Sequence, residues 1–115
     1  MKYSKHLILL AFSISITTLL LAQDTIICQK YNTHTATLAL HKKKPQLVIM
    51  GGIVRAIKPS DLKFAKKYKI EFLDTGCEVE DQTCIKAFNQ VTIHYLDKKY
   101  GKAWRKYIRK NIIGL

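Results

Sequence analysis

The chain has 115 residues and carries 20 Lys and Arg against 8 Asp and Glu, a formal net charge of +12. That length suits one small domain and excludes two. The sequence lacks Cys-x-x-Cys, G-x-G-x-x-G and G-x-x-x-x-G-K spacings, which removes a thioredoxin-type pair, a zinc knuckle and a phosphate cradle from consideration.

The first segment, MKYSKHLILLAFSISITTLLLAQD, places Lys2, Lys5 and His6 before an uncharged run from Leu7 to Leu21, with Ala22 and Gln23 at its end. A basic start, an apolar stretch and a small terminal residue predict a secretory signal peptide over 1–22. A spanning helix needs about 20 apolar residues, and Ser13, Ser15, Thr17 and Thr18 interrupt this shorter run. Gln23 stands where a lipoprotein would offer a cysteine. The expected mature chain is 23–115, exported to the periplasm or secreted, with 18 basic and 8 acidic residues and a net charge of +10.

YNTHTATLAL alternates Thr33, Thr35 and Thr37 with Ala36, Leu38 and Leu40, the period of a half-buried strand. HKKKPQ then breaks it as a loop or edge. LVIM predicts a second, buried strand, followed at Gly51-Gly52 either by a hairpin turn or, the favoured alternative, by a glycine turn leaving the sheet. KPSDLKFAKKY carries a helix start, with Ser60 as N-cap and Asp61 in the first turn. Leu62, Ala65 and Tyr68 would share its inner face, with Phe64 beside them. KIEFLD alternates Ile70 and Phe72 against Lys69, Glu71 and Leu73, a third short strand ended by Thr75-Gly76.

From Thr83 the period lengthens. Ile85, Phe88, Val91 or Thr92, and Tyr95 recur at three and four, so a helix is expected from about Thr83 to Lys99, stopped by Gly101. A second helix from Lys102 to about Ile112 would carry Trp104, Ile108 and Ile112 on one stripe, with Gly114 as its stop. The fold class expected is therefore α+β: a single small domain of about three strands, a short helix and a C-terminal helix pair packed on the sheet.

Cys28, Cys77 and Cys84 all survive signal removal and would meet an oxidising compartment. Cys77 and Cys84 bracket the acidic EVEDQT, which makes them the first-choice disulfide. Cys28 with Cys77 is the rival, and the odd thiol left over is expected to be simply buried. His34, His41 and His94 are too scattered for metal spacing, and Glu78, Glu80 and Asp81 lack the pattern of a calcium loop. No catalytic residue, metal or cofactor is expected. A Cys77 and His94 nucleophilic pair is conceivable only if the fold brings them together.

FAKKYKIEFLDTGCEVE followed by YLDKKYGKAWRKYIRKNIIGL resembles the FEKKY-domain proteins, a group of small exported bacterial proteins with a Phe-x-Lys-Lys-Tyr segment, a Gly-Cys and a terminal LDxKYGKxWRxxIRxxxxGL. The similarity spans roughly Leu47 to Leu115, with Ala65 standing where that family's name segment has Glu. The resemblance implies a single exported domain and carries no assigned activity.

The last nineteen residues hold seven Lys or Arg against one Asp. The expected partner surface is Lys98, Lys99, Lys102, Arg105, Lys106, Arg109 and Lys110, facing an unknown protein or an anionic envelope component. Export argues against nucleic acid. Two alternatives stand beside this binding module: a membrane-surface helix anchored by Trp104, and a thiol-dependent redox protein. Trp104, Ile108 and Phe88 are expected in the core, and charge reversal at Lys106 and Arg109 is expected to leave folding nearly intact.

Overall fold

The computed structural model of the chain describes residues 28–78 and 80–115. The predicted signal peptide lies outside the described residues. In chain order the elements are helix α1 (Thr33–His41), strand β1 (Gln46–Ile49), helix α2 (Pro59–Tyr68), strand β2 (Glu71–Asp74), helix α3 (Gln82–Tyr100) and one 3-10 segment, Lys102–Lys106. The two strands pair in parallel, with Gln46 opposite Glu71 and Ile49 opposite Asp74. The domain is α+β, as expected, with two strands among the described residues and not three.

The missing strand is the Thr-rich segment, which forms α1. Asn32 caps it: its Oδ1 accepts the Thr35 N–H at 2.9 Å while the Thr35 Oγ1 accepts the Asn32 N–H at 3.1 Å. This reciprocal pair satisfies two donors at a helix end. Tyr31, just before the cap, and Ala36, in the next turn, pack into one buried cluster, the arrangement of a hydrophobic staple. The alternation of Thr and apolar residues is overridden because Ala36 and Ala39, three apart, are the positions that bury.

β1 is buried on both faces. Leu47 and Ile49 enter a cluster with Phe64, Phe72, Leu96 and Trp104, while Val48 enters the opposite one with Tyr31, Ile85 and Phe88. A short continuous apolar run is the expected signature of such a strand. Its hydrogen bonds divide by residue parity: the carbonyls of Pro45 and Ile49 accept from the β2 side, from Glu71 and Thr75. Gln46 and Val48 turn their backbone groups the other way, where no strand lies among the described residues. There α3 completes the edge. Asn89 Oδ1 accepts the Val48 N–H at 2.7 Å, Asn89 Nδ2 donates to the Val48 carbonyl at 3.0 Å, and Thr92 Oγ1 donates to the Gln46 carbonyl at 2.6 Å. Polar side chains of a helix thus stand in for a third strand.

Residues 53–58 form no strand and β1 pairs in parallel with β2, so Gly51-Gly52 is not a hairpin turn. Gly51 leaves the sheet against Asp74, whose carboxylate a Cβ there would meet. Asp74 accepts the N–H groups of Ala56 (2.9 Å) and Gly76 (2.8 Å), and these two bonds lead the causes that hold its pKa below the ordinary carboxylate value.

α2 begins two residues earlier than expected, with Lys58 as N-cap and Pro59 in the first turn; Ser60 is inside the helix. Asp61 reaches back to accept the Lys58 N–H at 2.8 Å. Its buried face is Asp61, Phe64 and Tyr68, and Leu62 is exposed, contrary to the expected face. Ile70 and Phe72 bury as expected, although β2 itself starts at Glu71.

α3 is close to expectation. Asp81 caps it by accepting the Thr83 N–H at 2.7 Å, and Gly101, at φ 70°, ends it. The second helix over Lys102 to Ile112 does not form beyond the 3-10 segment ending at Lys106. Trp104, Ile108 and Ile112 are nevertheless all buried. Tertiary bonds fix this tail in place of helical ones: Asn89 Nδ2 donates to the Ile113 carbonyl at 3.0 Å, and Arg109 Nη1 donates to the Ala56 carbonyl at 2.8 Å.

The disulfide joins Cys28 to Cys84 across 56 residues, with Cα atoms 5.4 Å apart. Neither expected pairing, Cys77 with Cys84 or Cys28 with Cys77, is formed. Cys84 sits buried in the first turn of α3, beside the segment leading into α1. Cys77 follows the Gly76 turn and faces solvent, so the leftover thiol is exposed and not buried. Of the acidic residues in EVEDQT, Asp81 caps α3 and Glu78 forms an exposed ion pair with Lys30.

Candidate functional site

The seven expected surface cations separate into two groups. Arg105 forms a forked pair with Asp97, Nε to Oδ1 at 3.1 Å and Nη2 to Oδ2 at 2.6 Å. The Trp104 Nε1–H donates to the same Oδ1 at 2.9 Å, so the α3 carboxylate fixes the 3-10 segment by three bonds. The Arg105 hydrogen bonds lead the causes holding the Asp97 pKa below its ordinary value, against the opposing pull of desolvation.

Arg109 Nη1 donates to Asp61 Oδ2 at 2.9 Å, and both side chains are largely buried, at 16% and 5% exposure. Its Nε donates to Asn111 Oδ1 at 2.6 Å. Arg105 and Arg109 therefore tie the tail to α3 and α2.

The lysines differ. Lys98, Lys99, Lys102, Lys106 and Lys110 are exposed and form no ion pair among the described residues. Lys99 lies over the rings of Tyr95 and Tyr100 and donates to the Tyr95 hydroxyl at 3.1 Å, which leads the causes raising its pKa. Lys110 donates to the Arg105 carbonyl at 3.0 Å.

A neighbouring basic feature escaped the sequence reading. Ser60, Lys63 and Lys67 recur along one side of α2 and, with Phe64, Tyr68 and Tyr107, line an open groove of about 200 Å³. Lys67 Nζ lies 4.9 Å from the Tyr107 ring centre and 5.4 Å from that of Tyr68. The spacing of three and four was legible, but Tyr107 could be placed beside α2 only by the tertiary fold. A larger groove of about 550 Å³ runs between α1 and α3, lined by Leu40, Ala87, Val91, His94, Tyr95 and Lys98.

His94 belongs to that groove, whereas Cys77 lies in the turn after β2; no hydrogen bond joins them among the described residues. Among the described residues no group of three or more His, Cys, Asp or Glu could hold a metal ion. No helix of the described residues is long and apolar enough to cross a membrane. The chain matches no protein-family model, no curated protein and no solved structure.

Proposed function

We propose that this chain is a small exported binding module, related to the FEKKY-domain proteins it resembles, that engages an anionic envelope component or an acidic protein face without catalysing a reaction. The observation that carries this reading is the division of its cations. Arg105 and Arg109 have carboxylate partners, while Lys98, Lys99, Lys102, Lys106 and Lys110 point to solvent without one. Unpaired surface charge of one sign attracts opposite charge over roughly a Debye length, about 10 Å at 0.1 M salt. The apolar run after a basic start supports export, and the Cys28–Cys84 disulfide is compatible with an oxidising compartment.

The membrane-surface alternative receives less support. Trp104 is 1% exposed and bonded to Asp97, and the helix that would have lain in the interface is a single 3-10 segment. The thiol-dependent alternative rests on one observation, the exposed and unpaired Cys77.

The test is retention of the disulfide-bonded protein on a polyanionic matrix at low and high salt, beside a Lys98→Glu, Lys102→Glu, Lys106→Glu triple variant. Salt-sensitive retention that the triple variant loses supports the reading. Retention that neither salt nor charge reversal changes overturns it.

A further inference from the structure

We propose that the groove between α2 and Tyr107 is a subsite for one ring of an acidic saccharide, such as a uronate, so that the partner of the basic surface is an acidic polysaccharide. This rests on the binding-module reading above and narrows it. Tyr107 is 65% exposed and is the one exposed aromatic ring among the described residues. An exposed aromatic ring, where eight other Phe, Tyr and Trp side chains are buried or half-buried, offers an apolar surface to a ligand, with the Lys67 ammonium 4.9 Å from its centre.

The groove around it has the chemistry of an acidic sugar. Its floor is aromatic, from Phe64 and Tyr68, which suits the C–H face of a pyranose. Its rim carries two ammonium groups, Lys63 and Lys67, and the Ser60 hydroxyl. Neither lysine has an ion pair among the described residues, and no carboxylate lines the groove. Lys63 and Lys67 are four apart on α2, so both can reach one side of a bound ring. Lys67, packed between the Tyr107 and Tyr68 rings, is already held in place, which lowers the ordering cost of binding. A volume of about 200 Å³ is below that of a drug-sized site and matches a single ring with its chain continuing along the surface.

Calorimetry of the disulfide-bonded protein with a galacturonate tetramer tests this, with the neutral maltotetraose and anionic phosphatidylglycerol vesicles as comparisons. The tetramer should bind and maltotetraose should not. Tyr107→Ala should weaken binding about tenfold, the scale of one well-made contact. Tyr107→Phe should retain it, and Lys63→Ala with Lys67→Ala should weaken it about fivefold. Thermal melts confirm that each variant is folded, since all three positions are exposed. Unchanged binding in Tyr107→Ala overturns the subsite. If only the Lys98, Lys102, Lys106 variant loses the tetramer, the subsite falls and the wider basic-surface reading stands. Vesicle binding without tetramer binding overturns the saccharide assignment, and binding of no polyanion at all overturns both.

Discussion

The Asn89 side chain pairs with both backbone groups of Val48, as a neighbouring strand would, and a third bond from the same amide holds the Ile113 carbonyl. Asn89 is fully buried. Replacing it with Leu leaves the Val48 N–H and carbonyl unpaired away from water, at about 1–3 kcal/mol for each stranded group. Asn89→Leu should therefore destabilise by roughly 3 kcal/mol or more, read as a lower urea midpoint. A midpoint equal to the parent's would mean that α3 does not complete the sheet edge.

Arg109 and Lys106 are three residues apart and should behave oppositely. Arg109→Ala leaves Asp61 buried without its partner, a loss of about 3–5 kcal/mol for a broken buried pair. Lys106→Glu should stay within about 0.5 kcal/mol, as for most surface changes. The structure limits the expectation of a harmless charge reversal to Lys106, because Arg109 turns inward to α2. Chemical denaturation of the two single variants separates them.

Trp104 joins core packing to the Asp97 network. Trp104→Ala should cost about 3–5 kcal/mol, and Trp104→Phe about 1 kcal/mol more than its packing loss, for the Asp97 bond. The sole Trp should emit at blue-shifted wavelength in buffer and stay there when anionic vesicles are added. A red-shifted emission that moves only with vesicles would return the membrane-surface alternative.

Asp97 and Asp74 both have folded pKa values below their unfolded ones. The unfolded chain then takes up protons first as pH falls, so these groups stabilise the fold fully above the ordinary carboxylate range. That stability is lost as pH descends through the depressed values. Melting temperature should fall from about pH 5 to pH 2, and Asp97→Asn should flatten part of that slope. An unchanged slope would show that Asp97 is not the group responsible.

Thiol counting in the native oxidised protein should find one reactive group, Cys77. Reducing the Cys28–Cys84 bridge should cost about 4 kcal/mol for a loop of this length. Absence of any native reactive thiol would remove the redox alternative, since its only unpaired nucleophile would be inaccessible.

What could be read before the fold was known depended on whether the signal was local. α3 was legible because its apolar period and the Gly101 stop lie in one stretch of sequence. α1 reads as a strand because the alternation of Thr with apolar residues in a nine-residue helix imitates one, although Asn32 and Thr35 carry the capping signal. Burial of Trp104, Ile108 and Ile112 follows from their apolar stripe, yet the backbone of the tail follows contacts from Asn89 and Arg109 that no local pattern contains. The disulfide was illegible for the same reason: Cys28 meets Cys84 only after α1 packs on α3. Among the surface cations, the split between arginines and lysines required seeing where Asp61 and Asp97 point.

The bridge from Cys28 to Cys84 makes a covalent ring around α1, both strands and α2, and leaves the rest of α3 and the tail outside it. The tail after Gly101 is therefore fastened like a clasp, by Asp97, Asp61 and Asn89, which grip Trp104 and Arg105, Arg109, and Ile113 in turn. Opening that clasp would take Trp104, Ile108 and Ile112 out of the buried cluster that holds Leu47, Phe64 and Leu96 while the ring stayed closed. The tail that brings Tyr107 to the α2 groove is thus also the lid of the core, and a ligand gripping both sides of that groove would hold the lid shut.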